Sequence, residues 1–479
     1  MANVIIGSTK YIMIVLIALY AYQCFVVLAY EDEAMIRRIL RLQNVMMFAI
    51  HFMAFLGMYL KTEQHKMILF YLAQVGLLML IIFLYTKLYP KCSRLIINNM
   101  CMLLAIGFIM ITRLSYDKAV KQSIIVAGAA AICLFVPYII RKFKGIARFR
   151  IVYAIVGLVA LGTVFILGTV SGGAKLGFSI SGIGIQPSEL VKIIFVFFIA
   201  ASFRKETEFK NVVITTILAA FHVLILVISK DLGAALIIFA VYLVMLYVST
   251  KNPFYVISGL GLGGIASVVA YYLFQHVRVR VQVWQDPFEV YNRGGYQVAQ
   301  SLFAIGTGSW FGTGLFQGKA NAIPVADEDF IFSAIAEEMG LFFALCMILV
   351  CVSCFVMFLN IAMQLRQRFY KLVALGLGTC YIFQSFLNIG GVTKFIPSTG
   401  VTLPLVSYGG SSVLSTLIMF AIIQGLYIIK EDEEEKIERK RQEKTSKETR
   451  GRRDRNYLVR VGESETSEEK SKKRKSRIR

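Results

Sequence analysis

Apolar runs of about 18 to 23 residues recur almost end to end, separated by short polar loops. Each is long enough to cross a hydrocarbon core of roughly 30 Å as a helix. The pattern predicts thirteen spans: 11–30, 43–60, 67–87, 95–112, 123–140, 151–171, 189–203, 211–228, 232–249, 254–276, 331–359, 372–391 and 403–429. A single run of this kind could be a buried helix of a soluble protein, but so many imply an all-α polytopic membrane protein. The odd count places the two termini on opposite faces.

The loops carry the orientation signal. With the C-terminus inside, the short inner loops hold about 17 basic residues, including Arg37, Arg38, Arg41, Arg141, Lys142, Arg148 and Arg150, and the short outer loops about 9. The N-terminus is therefore expected outside. Five of the eight prolines (Pro187, Pro287, Pro324, Pro397 and Pro404) and many glycines fall in or beside three outer segments, 171–189, 277–330 and 392–412. Irregular backbone at membrane depth is tolerated where it is buried in protein or lines a polar cavity, so any chemistry is expected to face outward.

Composition agrees with this reading: 57% of the 479 residues are hydrophobic and 17% charged. A formal net charge of +22 would suggest nucleic acid in a soluble chain. Here about 19 of the 51 Lys and Arg lie beyond residue 429, interleaved with about 13 acids. The others sit mostly in short loops, so no nucleic-acid partner is expected. The tail from Glu431 is expected to extend the last helix a few turns through i,i+4 pairs and then to be disordered. Six of the eight cysteines lie inside apolar runs, and Cys351 and Cys354 lack the second pair or nearby His of a metal site. Tyr11–Tyr30 is too long for a cleavable leader and no small-residue cleavage site follows it.

Ionisable residues at membrane depth are costly and stand out. Glu189 and Lys192 share one helix face after Gln186-Pro187-Ser188, and Lys230-Asp231 interrupts an apolar stretch. Ion pairs fixing helix packing and a functional cavity are both open readings of these four. The long segment 277–330 opens with Arg278 and Arg280, passes through a glycine-rich stretch, and ends on Asp327-Glu328-Asp329 at the start of an apolar helix. One acid suffices to cap a helix, and three beside a glycine-rich loop suggest more. With Asp329 on the first turn, Ser333 and Glu337 would follow on the same face and line a polar cavity. No His is near this cluster in sequence and no phosphate-binding GxxxxGK[ST] loop exists, which speaks against Ser-His or Cys-His chemistry and ATP-driven pumping. Carboxylate chemistry with nearby cations remains, and it suits glycosyl transfer from a diphosphate donor.

These residues also carry a resemblance. IPSTGVTLPLVSYGGSS (396–412), Gln186–Glu189 with Lys192, Asp231-Leu232-Gly233, the glycine-rich run from Gly295 to Gly318, and Asp329–Glu338 resemble, in order, the motifs of the SEDS family of shape, elongation, division and sporulation proteins (FtsW, RodA, SpoVE). The resemblance covers about 330 residues, from near Ile96 to the end of the last span. It implies a ten-span core within 94–430, a three-span N-terminal extension (1–93) and a charged cytoplasmic tail (431–479). It further implies a multi-pass protein of the bacterial cytoplasmic membrane that polymerises lipid II on the outer face, in elongation, division or sporulation. Its partners would be a class B penicillin-binding protein and other membrane proteins of the division or elongation machinery. Asp329 falls on the aspartate thought essential in the family. Gln186, Glu189, Lys192, Asp231, Arg280, Gln300, Ser301, Lys394, Ser398, Thr399 and Ser407 become the expected substrate-binding or cavity residues. No cofactor is implied with certainty, and a divalent cation is left open.

The chain departs from the family in reading Asp327-Glu328 where many members have His-Thr, Gly177 where they have Trp, and Lys230 and Ala234 around Asp231 where they have Pro and Thr. The two extra acids are expected to raise the proton affinity of Asp329. A lipid II transporter and a non-catalytic scaffold are the alternatives. The extension bears none of the matched motifs and is expected to be dispensable for the chemistry.

Overall fold

The computed structural model describes residues 2–143, 145–171, 174–180, 183–205 and 207–475. The first three helices are α1 (Ala2–Val26), α2 (Glu33–Thr62) and α3 (Lys66–Leu88). The expected core follows as α4 (Arg94–Leu114), α5 (Tyr116–Cys133) with its continuation α6 (Val136–Lys142), α7 (Arg150–Leu167), α8 (Pro187–Ser202), α9 (Phe209–Ile228), α10 (Leu232–Thr250) and α11 (Pro253–Leu273). Three short helices, α12 (Gln275–Gln285), α13 (Tyr296–Gly308) and α14 (Ile331–Glu338), lead into α15 (Leu341–Gln364), α16 (Arg368–Val392) and α17 (Gly410–Lys475). Among the described residues twelve helices are long and apolar enough to cross a membrane. The protein is an all-α polytopic membrane protein.

The structure adds detail to the predicted spans. The span expected at 189–203 is α8, whose 16 residues reach only about 24 Å. It begins at Pro187, where the missing N–H costs nothing, and is buried along most of its length. The span expected at 331–359 is interrupted at Met339–Gly340, leaving α14 as a separate buried helix of about two turns before α15. Gly340 has φ +92°, and a Cβ there would lie 2.5 Å from Gly312 N, so only glycine lets the loop before α14 pass this close. The span expected at 254–276 ends at Leu273, and an extended Phe274 redirects the chain into α12. Between α7 and α8 the chain forms a small antiparallel sheet, β1 (Thr169–Ser171), β2 (Ala174–Ile180) and β3 (Ile183–Ile185), in that order. The helix expected to fade soon after Glu431 continues to Lys475. Lys430–Glu434 (3.2 Å) and Arg439–Glu435 (2.6 Å) are among the i,i+4 pairs that support it.

The extension is bound into the bundle by buried polar contacts. Helix α4 is buried throughout, with α2, α3, α5 and α15 against it. Tyr20 Oη donates to Asn99 Oδ1 (3.1 Å), and Asn98 Nδ2 donates to Leu40 O (2.9 Å) and Gln43 Oε1 (3.2 Å). Removing 1–90 would strip these partners from two asparagines at membrane depth, at about 1–3 kcal/mol for each unsatisfied group. These contacts bear on the stability of the bundle rather than on the chemistry. A variant lacking residues 1–90 is expected to melt about 5 °C or more below the full chain in detergent. Equal melting temperatures would show that the extension is an independent appendage.

Candidate functional site

Asp329 lies at the end of the bundle where α5 begins and α16 ends, just before α14. The loop leading to it is stitched onto α14 rather than hanging free. Thr313 N donates to Glu337 O (2.9 Å), Gly314 N to Glu338 O (2.8 Å) and Lys319 N to Glu337 Oε1 (2.7 Å). Glu338 in turn forms an ion pair with Arg113 of α4 (2.7 Å), both groups being almost fully buried. The glycine-rich run is thus a close-packed scaffold. The expected polar face of α14 is not an open cavity wall. Ser333 is fully buried against Ser301 of α13 (2.6 Å), and Glu337 accepts from Lys319 N.

The three adjacent acids have different environments. Lys118 of α5 takes the first two, with Nζ 2.6 Å from Asp327 Oδ2 and 3.3 Å from Glu328 Oε1. The backbone beneath them is clamped: Tyr408 N donates to Asp327 O (2.8 Å), Ser407 Oγ to Glu328 O, and Asn388 Nδ2 to Asp329 O (2.8 Å) and Val401 O (2.7 Å). Among the described residues the Asp329 carboxylate itself has no hydrogen bond or ion pair. Nor does it cap α14, whose N-cap position is Phe330, without a side-chain cap.

What faces Asp329 is Arg280 of α12. A Cβ built on Gly400 (φ +72°) would lie 3.5 Å from Asp329 Oδ2 and 3.6 Å from Arg280 Nη2. Both charges therefore flank the small volume left open by that glycine. Arg280 is held there by donating Nη1 to Ser398 O (3.1 Å). Burial pushes the Asp329 carboxyl up from 3.8 to about 6, with Glu328 adding to the shift and Arg280 opposing it. Both extra acids were expected to contribute; Lys118 pairs with both, more closely with Asp327, and Glu328 is the one that adds to the shift. Burial lowers the Arg280 guanidinium from its usual value, and Asp329 and Asp231 draw it back.

The other expected residues divide into two groups. Ser398, Thr399 and Ser407 belong to the segment that wraps Asp329 and Arg280, and Thr399 Oγ1 is buried without a partner among the described residues. Asp231 caps α10 by accepting from Ala234 N (3.1 Å), and takes Ser188 Oγ (2.8 Å) and Gln186 Nε2 (3.1 Å) rather than Lys230, which is exposed with φ +66°. Its field bears on Arg280 at the site. Glu189 and Lys192 form a buried ion pair (2.9 Å), completed by Ser415 Oγ on Glu189 (3.0 Å) and Gln384 Oε1 on Lys192 (2.7 Å). At 1% exposure Lys192 is a bundle fastener, not a free cation facing a cavity. Gln300 donates to Tyr291 Oη (3.0 Å), and Ser301 donates to Val392 O (2.8 Å), packing α13 against its neighbours. Lys394 is half-buried in the turn after α16, with φ +60°.

Lys118 and Asn388 were not among the residues expected from sequence. The available signal for Lys118 was a basic residue at the end of a span where the charge bias disfavours one. For Asn388 it was an amide among apolar neighbours. His276, one helical turn before Arg280, also lies near the site, and its proton affinity is lowered by burial and by Arg280. Among the described residues no group of three acidic, His or Cys side chains is placed to hold a metal ion.

Comparison with known proteins gives a consistent result. A family model described as "Cell cycle protein", FTSW_RODA_SPOVE, matches residues 93–431. The peptidoglycan glycosyltransferase RodA of Mycobacterium leprae is 34% identical over 394 residues, covering 76% of this chain and 84% of that one. The probable peptidoglycan glycosyltransferase FtsW of Bacillus subtilis is 32% identical over 320 residues, covering 63% and 79%. A solved structure described as "Structural coordination of polymerization and crosslinking by a peptidoglycan synthase complex" has the same fold at a TM-score of 0.61 and 21% identity, covering 71% of this chain and 98% of that one. The crystal structure of the Thermus thermophilus rod shape determining protein RodA matches at a TM-score of 0.51 and 20% identity, covering 70% and 96%.

Proposed function

This chain belongs to the FtsW/RodA/SpoVE family of cell cycle proteins, and we propose that it is a peptidoglycan glycosyltransferase that extends glycan strands from lipid II with Asp329 as general base. The observation that carries the assignment is a carboxylate without a hydrogen-bond or ion-pair partner among the described residues, held beside Arg280 across the space at Gly400. Asp329 accepts the proton of an acceptor sugar hydroxyl as its oxygen bonds to the donor's anomeric carbon. The bond from that carbon to the diphosphate oxygen breaks, the diphosphate leaves with the electron pair, and Arg280 stabilises its charge. A carboxylate with its affinity set near 6 is ionised at neutral pH yet basic enough to assist. Ser398 and Thr399 contribute the wall of the donor pocket, and Lys394 is a further cation at its edge. Glu189, Lys192, Asp231, Gln186, Gln300, Ser301 and Ser407 hold the scaffold around it.

We divide the chain into an extension (1–93), the polymerase core (94–430) and a charged tail (431–479). The core works with a class B penicillin-binding protein that crosslinks the strand, a partnership supported by the peptidoglycan synthase complex among the structural neighbours. The charge bias of the loops supports an N-terminus outside and a C-terminus in the cytoplasm.

Two measurements test this reading. In detergent there is no bilayer to cross, so the purified protein with its partner is expected to convert lipid II into glycan; a protein that moves lipid II across vesicles and makes none is a transporter. In intact cells Asn321→Cys is expected to react with an impermeant thiol reagent and Ser446→Cys is not. The eight native cysteines are buried or half-buried and give little background. The reverse pattern would place Asp329 inside, away from the site of wall assembly.

A further inference from the structure

At the end of the bundle opposite Asp329, the ends of α7, α8 and α9 line an open cavity of about 480 Å³. Arg148 and Arg150 reach it from one loop, Arg204 and Lys205 from another, and Glu208 and Asn211 complete the polar lining. The recess is built: Tyr153 Oη donates to Ile146 O (2.9 Å), pinning the first loop. Asn211 is bonded on both sides, its Oδ1 accepting from Arg150 Nη1 and its Nδ2 donating to Ser202 O (2.8 Å). Arg150 is thereby fixed with its guanidinium at the cavity, and less freedom is lost when a ligand binds.

The surroundings say where the ligand comes from. Phe149, Ile151 and Phe209 directly adjoin the lining residues in sequence and are 49%, 67% and 70% exposed. On a membrane-spanning bundle, apolar side chains this exposed beside the ends of spans face acyl chains. The cations next to them stand at headgroup height, where each Lys or Arg near the surface attracts anionic lipid by about 1 kcal/mol.

We propose that this cavity is a binding site for the phosphodiester headgroup of an anionic phospholipid, separate from the Asp329 site. Arg150 forms two bonds to the phosphate through its fork, Arg148, Arg204 and Lys205 supply the remaining charge, and Asn211 with Glu208 accepts from headgroup hydroxyls. The lipid bridges the loops before α7 and before α9, which hold the end of α8 between them.

Native mass spectrometry of the full chain released from phosphatidylcholine nanodiscs containing phosphatidylglycerol tests this. The wild type is expected to retain phosphatidylglycerol in preference to phosphatidylcholine, and Arg204→Gln/Lys205→Gln and Arg148→Gln/Arg150→Gln are each expected to retain about 10-fold less. Lys251→Gln/Lys371→Gln, basic residues at the same end outside the cavity, is expected to match the wild type. Inorganic phosphate at about 10 mM is expected not to displace the lipid, because it lacks the acyl chains that hold the headgroup at this height. Equal retention by the cavity variants, or an equal loss in the control, would overturn the site. Displacement by inorganic phosphate would overturn the lipid and make the ligand a small soluble anion. Lipid retention is read without any polymerase assay, so it fails or succeeds independently of the assignment at Asp329.

Discussion

Asp329→Asn is expected to lower lipid II polymerisation about 10²- to 10⁴-fold, the usual range for losing a general base. The substitution keeps the shape of the side chain and breaks no contact, because the carboxylate makes no hydrogen bond or ion pair among the described residues. The strand around it is held through its backbone by Asn388, Ser407 and Tyr408. Stability should move the other way. The folded carboxyl titrates at about 6 against an ordinary 3.8, so the fold favours its neutral form. That preference supports stability fully at low pH and is lost as pH rises from about 3.8 through about 6. Asn is neutral at every pH, so at pH 7.5 the variant is expected to melt at or above the wild-type temperature. Lipid II binding should change little. A folded variant active at the wild-type rate would remove Asp329 from the chemistry, and an unfolded one would contradict the absence of a structural role for its carboxylate.

Arg280→Gln is expected to lower polymerisation about 10²- to 10³-fold, as when a single donor to developing negative charge is removed. Two effects combine. The leaving diphosphate loses its cation, and Asp329 loses the charge that opposes its protonation. Arg280→Lys keeps the charge without the fork that reaches both Ser398 O and the site. It is expected to recover the titration of Asp329 more fully than the rate. The assay is lipid II turnover across pH with melting temperature as the folding control. Wild-type turnover in Arg280→Gln at an unchanged melting temperature would assign this residue to packing alone.

How much of this could be read from the chain depends on the range of the interaction. Membrane spans are local: twenty apolar residues must be helical in lipid wherever they fall, so α4, α9, α10 and α16 were legible. The breaks were less so, because Gly340 interrupts the expected span through its approach to Gly312. The segment 277–330 read as a loop, yet it contains α12 and α13. The alternation of Arg278, Arg280 and Gln282 with valines does not resemble a helix period. At the site, Asp329 was legible through its motif and through the excess of acids around it. Its environment was not. Lys118 reaches Asp327 and Glu328 across more than two hundred residues, and no local rule distinguishes the acid that is paired from the one left unpaired. Glu189 and Lys192 show the same limit: i,i+3 spacing allowed an ion pair, but only Gln384 and Ser415 from distant helices reveal it as a buried fastener.

The pH dependence of lipid II polymerisation tests the central claim most directly, because it reads the state of Asp329 during turnover. The groups facing that carboxyl are Glu328, which raises its affinity, Arg280 of α12, which lowers it, and Lys118 of α5, which neutralises Glu328 and Asp327. Asp231 acts through Arg280, which also lowers the proton affinity of His276. The predicted result is a wild-type rate that falls on acidification with a midpoint near the carboxyl's value of about 6. The midpoint should move down in Glu328→Gln and up in Lys118→Met, which leaves Glu328 uncompensated. A rate that stays flat to about pH 4.5, where ordinary carboxylates begin to protonate, or a midpoint near 6 that neither substitution moves, would contradict Asp329 as the base.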